Sequence, residues 1–318
     1  MAVRRQAAPG RPPRRAAQSR PAVPRRPAPA PAVPEARAAP APAPRRAAGP
    51  ARPKVTCATL QEHKRAHRPI VMVTAYDYPF ASIVDAAGVD VILVGDSLGM
   101  VVLGFETTLP VTVRHILHHL QAVMRARPRA LVVADMPFMS FQVSPRQAVR
   151  NAGRMIQEGG AEAVKLEGGE RVLPMVEAIA RADIPVLGHL GLTPQSVHRL
   201  GGYRVQGRTA EARTRLRREA RQLQDAGCFG IVLEAIPAPL AAEISAALSI
   251  PTIGIGAGAG CDGQVLVLHD LLALHDGPMP RFVQRFANVG DVARAGVEAF
   301  AAAVRGGQYP RPEHEYGS

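Results

Sequence analysis

The sequence predicts an α/β chain: a (β/α)8 barrel, or TIM barrel, behind a disordered Arg/Pro/Ala-rich N-terminal extension. Three observations carry this reading. From residue 55 onward, eight short runs of β-branched and aliphatic residues alternate with stretches of helical period. Each run is nearly continuously apolar, as parallel strands covered on both faces are. Eight strand–helix pairs in about 215 residues is the count for a closed barrel. A doubly wound open sheet is the alternative, but its usual GxGxxG after the first strand is missing.

The extension comes first. Residues 1–54 hold twelve Arg and one Lys against a single acid, Glu35, and 14 of the 30 prolines. They contain no aromatic residue. Such a segment buries too little apolar surface to offset its ordering entropy, so disorder with polyproline character is expected. Three roles compete for it: a solvated extension, an organelle transit peptide, or salt-sensitive, non-specific binding to a polyanion. Transit peptides are usually Ser-rich, and only Ser19 stands here. No apolar h-region follows the first arginines, which argues against a secretory signal.

The chain carries a formal charge of +13, and nearly all of it lies in this segment. The body, residues 55–318, holds 26 basic and 25 acidic side chains, so a specific nucleic-acid partner is not expected. No apolar run approaches the ~18 residues of a membrane span, so no membrane partner is expected. Three cysteines without a CxxC pair (Cys57, Cys228, Cys261) argue against a disulfide scaffold and a structural zinc site. A reducing compartment such as the cytoplasm fits them.

The body then reads in order. The strand runs are IVMVTAYD (70–77), VDVILVGD (89–96), ALVVADMPF (130–138) and AEAVKLEGG (161–169). They continue with IPVLGHLG (184–191), CFGIVLEA (228–235), IPTIGIGAG (250–258) and QVLVLHD (264–270). Helical stretches fall at 112–126, 145–158, 171–182, 209–226 and 238–248. Ser144-Pro145 and Thr209 are start signals. Gly88, Gly159 and Gly227 stand where helices should stop. Residues 97–111 read as a loop. A last helix is expected at 291–305, packed on a partner subunit or on the barrel bottom.

In a barrel the active site lies at the C-terminal ends of the strands. Those ends hold Tyr76-Asp77, Asp96-Ser97, Asp135, Lys165 with Glu167, His189, Glu234 and Asp270. One or two of these are explained as helix caps. So many ionisable groups on one rim read better as a site. Asp96 and Asp135 end neighbouring strands, and two close carboxylates repel unless a divalent cation joins them. All-oxygen donors favour Mg²⁺, with Glu167 a third ligand, direct or through water. Lys165 lies two residues from Glu167, on the same strand face, and suits a substrate carboxylate. His189 sits in GHLGLTP between glycines that would let a ligand approach the backbone. Glu234 ends an apolar strand, a setting that suits a general base near neutral pH; alone, it could equally pair with an arginine. The run GIGAGAG at 254–260 suits either a phosphate cradle or tight packing.

At this point the chain resembles the ketopantoate hydroxymethyltransferases. The matching stretches are TAYDYPFA (74–81), VGDSLGMVVLG (94–104), TLPVTV (108–113) and ADMPFMSF (134–141). VKLEGG (164–169), GHLGLTPQSV (188–197), GGYRVQGR (201–208), VLEAIP (232–237) and IGIGAG followed by DGQVLVLHD complete the set. The resemblance covers about residues 56–312. It implies a barrel that assembles into a homodecamer or other large homo-oligomer, with Mg²⁺ and the co-substrate 5,10-methylenetetrahydrofolate. The metal-binding positions would be Asp96, Asp135 and Glu167. Asp96, Ser97, Asp135 and Lys165 would contact the keto acid, with His189 in the same pocket. Glu234 would accept the proton. Two departures stand out: the extension, and Ala235 where a cysteine or another small residue is common. A Mg²⁺-dependent 2-oxo-acid C–C lyase of the isocitrate lyase or phosphoenolpyruvate mutase type is the rival. Such lyases carry a KKCGH-like loop, and none occurs here.

Overall fold

The structure is a computed structural model of the 318-residue chain, and it describes residues 52–275, 277 and 279–317. The predicted disordered extension lies outside the described residues except for its last three positions. Two of those three hold to the body through their side chains. The Arg52 guanidinium donates to Val89 O and stands 3.7 Å from Asp90 Oδ1. Lys54 Nζ donates to Ala130 O at 2.6 Å and to Glu162 Oε2 at 2.6 Å.

Eight parallel strands close on themselves in sequence order. They are β1 (Ile70–Thr74), β2 (Val91–Val94), β3 (Leu131–Asp135) and β4 (Ala163–Glu167). β5 (Val186–Gly191), β6 (Cys228–Glu234), β7 (Thr252–Ile255) and β8 (Gly263–Leu266) follow. β1 pairs with β8 as well as with β2, which leaves no free edge. Seven strands fall inside their predicted runs and β8 begins one residue before its own; the runs overshoot because apolar residues continue into the loops.

The helices are α1 (Cys57–Arg65), α2 (Tyr78–Ala86), α3 (Leu98–Val101), α4 (Val113–Met124) and α5 (Pro145–Gln157). α6 (Leu173–Ala180), α7 (Val197–Leu200), α8 (Ala210–Asp225), α9 (Ala238–Ala247), α10 (Leu268–Leu271) and α11 (Val289–Arg305) complete them. The start signals act as predicted. Ser144 Oγ accepts from Gln147 N and Thr209 Oγ1 from Ala212 N, each at 3.2 Å. The predicted loop 97–111 contains the single-turn α3. Gly88 and Gly227 take positive φ after their helices, but after α5 it is Gly160, not Gly159, that does so. A Cβ on Gly159 would instead stand 2.3 Å from Leu120.

Strand periodicity sorts the side chains into two cores. One parity packs outward against the helices, with Ile92, Val132, Val164 and Ile231 buried against Leu120, Met155, Ile179 and Leu223. The other parity fills the barrel with Met72, Leu93, Val133, Leu187 and Ile253, and Leu60 of α1 joins this cluster. Continued two residues further, the inward parity of β3 reaches Asp135, that of β4 Lys165 and Glu167, and that of β5 His189. The barrel is therefore apolar below and ionisable at its C-terminal mouth.

α11 departs from one of its two expected placements. None of its residues is buried, so the barrel bottom does not cover it. Val292, Val297, Phe300 and Val304 recur at helical spacing along one exposed stripe.

Candidate active site

Strand register assembles the cluster. Asp135 pairs with Lys165, Glu167 with His189, and Gly191 with Glu234 across successive strands. Asp96 follows β2, one residue past Gly95. Asp96, Asp135, Lys165, Glu167 and His189 are all buried, while Glu234 keeps 16% of its side chain exposed at the mouth.

The contacts are specific. Lys165 Nζ stands 3.0 Å from Asp135 Oδ1 and 3.3 Å from His189 Nδ1. His189 Nδ1 lies 3.5 Å from Glu167 Oε1, and its Nε2 lies 3.2 Å from Glu234 Oε2. Asp96 N donates to Asp135 Oδ2 at 3.1 Å. Ser97 Oγ is 2.6 Å from Tyr76 Oη. The base candidate is thus paired with a histidine, and not with the arginine that was its other reading. Its surroundings are polar and not apolar.

Gln195 is the residue that sequence reasoning missed. Its Nε2 donates to Asp96 Oδ2 and to Met136 O, both at 2.9 Å, and its backbone N donates to Glu167 Oε2 at 3.0 Å. It orients two of the three proposed metal ligands at once. The only signal in the sequence was an amide in a loop just after the fifth strand.

Not every strand-end acid belongs here. Asp77 caps α2, accepting from Phe80 N at 2.8 Å, and Asp270 pairs with His275 Nε2 at 2.7 Å. The glycines around His189 also serve a different purpose. Gly188 packs against Leu223 and Cys228, and a Cβ on Gly191 would stand 2.1 Å from Glu234 O. They permit close packing between strands and not ligand approach. The glycine run likewise packs: Gly256 lies against Phe282, Gly258 against Ala238 and Gly260 against Ala242.

The electrostatics show an acid surplus. Four carboxylates (Asp96, Asp135, Glu167, Glu234) face two cationic groups, Lys165 and His189. Burial, then the charges of Asp135 and Glu167, hold the Asp96 carboxyl well above its ordinary range. Burial also raises Asp135, against the pull of Lys165. At Glu167 burial is outweighed by His189, Lys165 and the Gln195 N–H, so that carboxyl is lowered. His189 is pushed up to about 9: burial and Lys165 oppose its charge, but Glu167 and Glu234 prevail. Burial would depress Lys165, yet the neighbouring carboxylates raise it.

This donor set suits a hard divalent cation. With Lys165 and His189 charged, ionising all four carboxylates would leave two negative charges uncompensated, and the raised Asp96 and Asp135 carboxyls reflect that surplus. Asp135 Oδ1 and Glu167 Oε1 are buried and make no hydrogen bond; the Lys165 contact to Oδ1 is an ion pair without hydrogen-bond alignment. Among the described residues no group of three or more His, Cys, Asp or Glu side chains is placed to hold a metal ion by itself. Asp135 and Glu167 could supply the one or two carboxylates by which Mg²⁺ is commonly held, with water and substrate completing its shell.

Known proteins match the whole barrel. Residues 54–312 match the family model of ketopantoate hydroxymethyltransferase. A 3-methyl-2-oxobutanoate hydroxymethyltransferase of Moorella thermoacetica is 56% identical over 265 residues, covering 83% of this chain and 98% of that protein. The enzyme of the same name from Desulforapulum autotrophicum is 58% identical, covering 83% and 99%. Two solved structures share the fold at low identity. Phosphonopyruvate hydrolase, complexed with oxalate and Mg²⁺, superposes with a TM-score of 0.54 at 12% identity, covering 83% of this chain and 92% of its own. 2,3-Dimethylmalate lyase, a PEP mutase/isocitrate lyase superfamily member, gives 0.52 at 18%, covering 80% and 87%. The sequence matches extend through every strand of the barrel and both ends of the ionisable cluster, and on them the chain belongs to the ketopantoate hydroxymethyltransferase family of enzymes.

Proposed function

We propose that this enzyme transfers a hydroxymethyl group from 5,10-methylenetetrahydrofolate to 3-methyl-2-oxobutanoate, giving 2-dehydropantoate. The observation that carries the reading is the match to relatives of that activity over nearly their whole length, with the acid-rich cluster at the barrel mouth. Asp96 and Asp135, with Glu167 beside them, would hold Mg²⁺, which would supply Lewis acidity to the bound keto acid. Lys165 and Ser97 hold the substrate carboxylate, Lys165 by charge and Ser97 through a hydroxyl that Tyr76 orients. Glu234, at the open side of the pocket, takes the proton from C3. His189, 3.2 Å from Glu234, fixes that carboxylate in place. The pocket thereby holds the carbon nucleophile facing the methylene that the donor brings from above.

The described residues contain no helix long and apolar enough to cross a membrane. We place the enzyme in the cytoplasm, with residues 55–318 as the catalytic unit and 1–54 as an accessory extension. A homo-oligomer, a decamer by resemblance, is favoured by the exposed apolar stripe of α11. The rival lyase reading rests on shared fold alone, at 12% and 18% identity. Incubating the enzyme with 3-methyl-2-oxobutanoate and Mg²⁺, with and without 5,10-methylenetetrahydrofolate, separates them. The proposal predicts 2-dehydropantoate only when the folate is present. Carbon–carbon cleavage of a 2-oxo acid without folate would replace it with the lyase.

A further inference from the structure

The keto acid has only five carbons and is held on the polar floor of the mouth, yet the rim above that floor is apolar. Met100 after β2, Phe138, Met139 and Val143 after β3, and Tyr203 and Val205 after β5 are all exposed there. Exposed apolar side chains on three separate loops around one opening are unusual on a solvated surface. They lie where a second, larger reactant must enter, because the floor is closed below by the barrel core.

Tyr203 is the centre of this rim. It is 51% exposed, and its hydroxyl donates to Met100 Sδ at 3.8 Å, joining the β5 loop to the β2 loop. Met100 lies in the segment after β2 that also carries Asp96 and Ser97, so this contact sets the ring beside the loop that supplies the pocket. Its loop turns on Gly201, Gly202 and Gly207 at positive φ, and a Cβ on Gly201 or Gly202 would meet nothing within 4 Å. The backbone just before the ring thus has open space beside it.

We propose that Tyr203 is the stacking platform for the pterin ring of the one-carbon donor, with the Met100 thioether against its edge. This rests on the folate-dependent reading above. A bicyclic, flat, partly polar ring is the shape an exposed phenol and a thioether take best. Stacked there, the donor presents its methylene toward the pocket floor, on the side where Glu234 opens C3. Base-on-aromatic stacking of this kind is worth ~1–3 kcal/mol, about 5- to 150-fold in affinity, so its loss is expected to raise the donor KM on the order of 10-fold or more.

Two variants test it in the full chain. Tyr203→Leu removes the flat ring and Tyr203→Phe keeps it. Stacking predicts a donor KM raised about 10-fold or more in the leucine variant and within about two-fold of wild type in the phenylalanine variant. The keto-acid KM stays within about two-fold in both. The chain contains no tryptophan, so Tyr203→Trp places a single fluorophore at the rim. Tetrahydrofolate should quench it saturably, and 3-methyl-2-oxobutanoate should not. An unchanged donor KM in Tyr203→Leu, a parallel rise in the keto-acid KM, or no quenching by tetrahydrofolate overturns the assignment. Absence of any folate-dependent product in the wild type instead overturns the reading beneath it.

Discussion

Gln195 reaches Asp96, Met136 and Glu167 from one loop position, and its loss should be felt by the metal before it is felt by the fold. Outer-shell partners of metal ligands typically contribute 10–100-fold in affinity or activity. Gln195→Leu should therefore raise the Mg²⁺ concentration for half-maximal turnover about 10–100-fold, measured by Mg²⁺ titration of initial rates. An unchanged Mg²⁺ requirement would remove Gln195 from the metal's surroundings. Asp135→Ala should lose both Mg²⁺ response and turnover, since it removes one of the three proposed metal ligands. The charged residues of this cluster were legible because strand ends have no structural need for so many ionisable groups. Gln195 was not, because a neutral amide 99 positions from Asp96 declares nothing until the fold brings them together. The pairing of Glu234 with His189 was hidden for the same reason.

Strand parity explains why the elements were so readable. An inward column that is apolar at Val133 and ionisable at Asp135 marks both the strand and its C-terminal end. Helix starts were readable through their caps. Ser144→Ala should cost about 1 kcal/mol of stability, read from urea unfolding, because it leaves Gln147 N without its partner. Glycines were less readable, since the sequence does not distinguish a ligand approach from a backbone crossing. Gly191 combines φ of +95° with the Glu234 carbonyl against it. Gly191→Ala should destabilise the fold by about 2 kcal/mol or more and lower activity by displacing Glu234. Wild-type stability in that variant would mean the β5–β6 contact is looser than described.

The whole molecule closes its sheet but leaves α11 uncovered, and the sequence showed that helix without showing what it meets. Val297→Asp with Phe300→Asp should shift the sedimentation profile toward smaller species if that stripe is an interface; an unaltered profile would place the interface elsewhere. Burial raises the thiols of Cys57 to about 11 and Cys228 to about 12, and raises that of Cys261 as well. The folded protein should thus be alkylated by iodoacetamide only slowly at pH 8, and at all three sites once unfolded in urea. Turnover as proposed depends on one step, the removal of the C3 proton by Glu234 with Mg²⁺ present. Deuterium exchange at C3 of 3-methyl-2-oxobutanoate, followed by NMR without folate, reads that step alone. The expected result is Mg²⁺-dependent exchange that falls ~10²–10⁴-fold in Glu234→Gln. Exchange at the wild-type rate in that variant, or exchange indifferent to Mg²⁺, would contradict it.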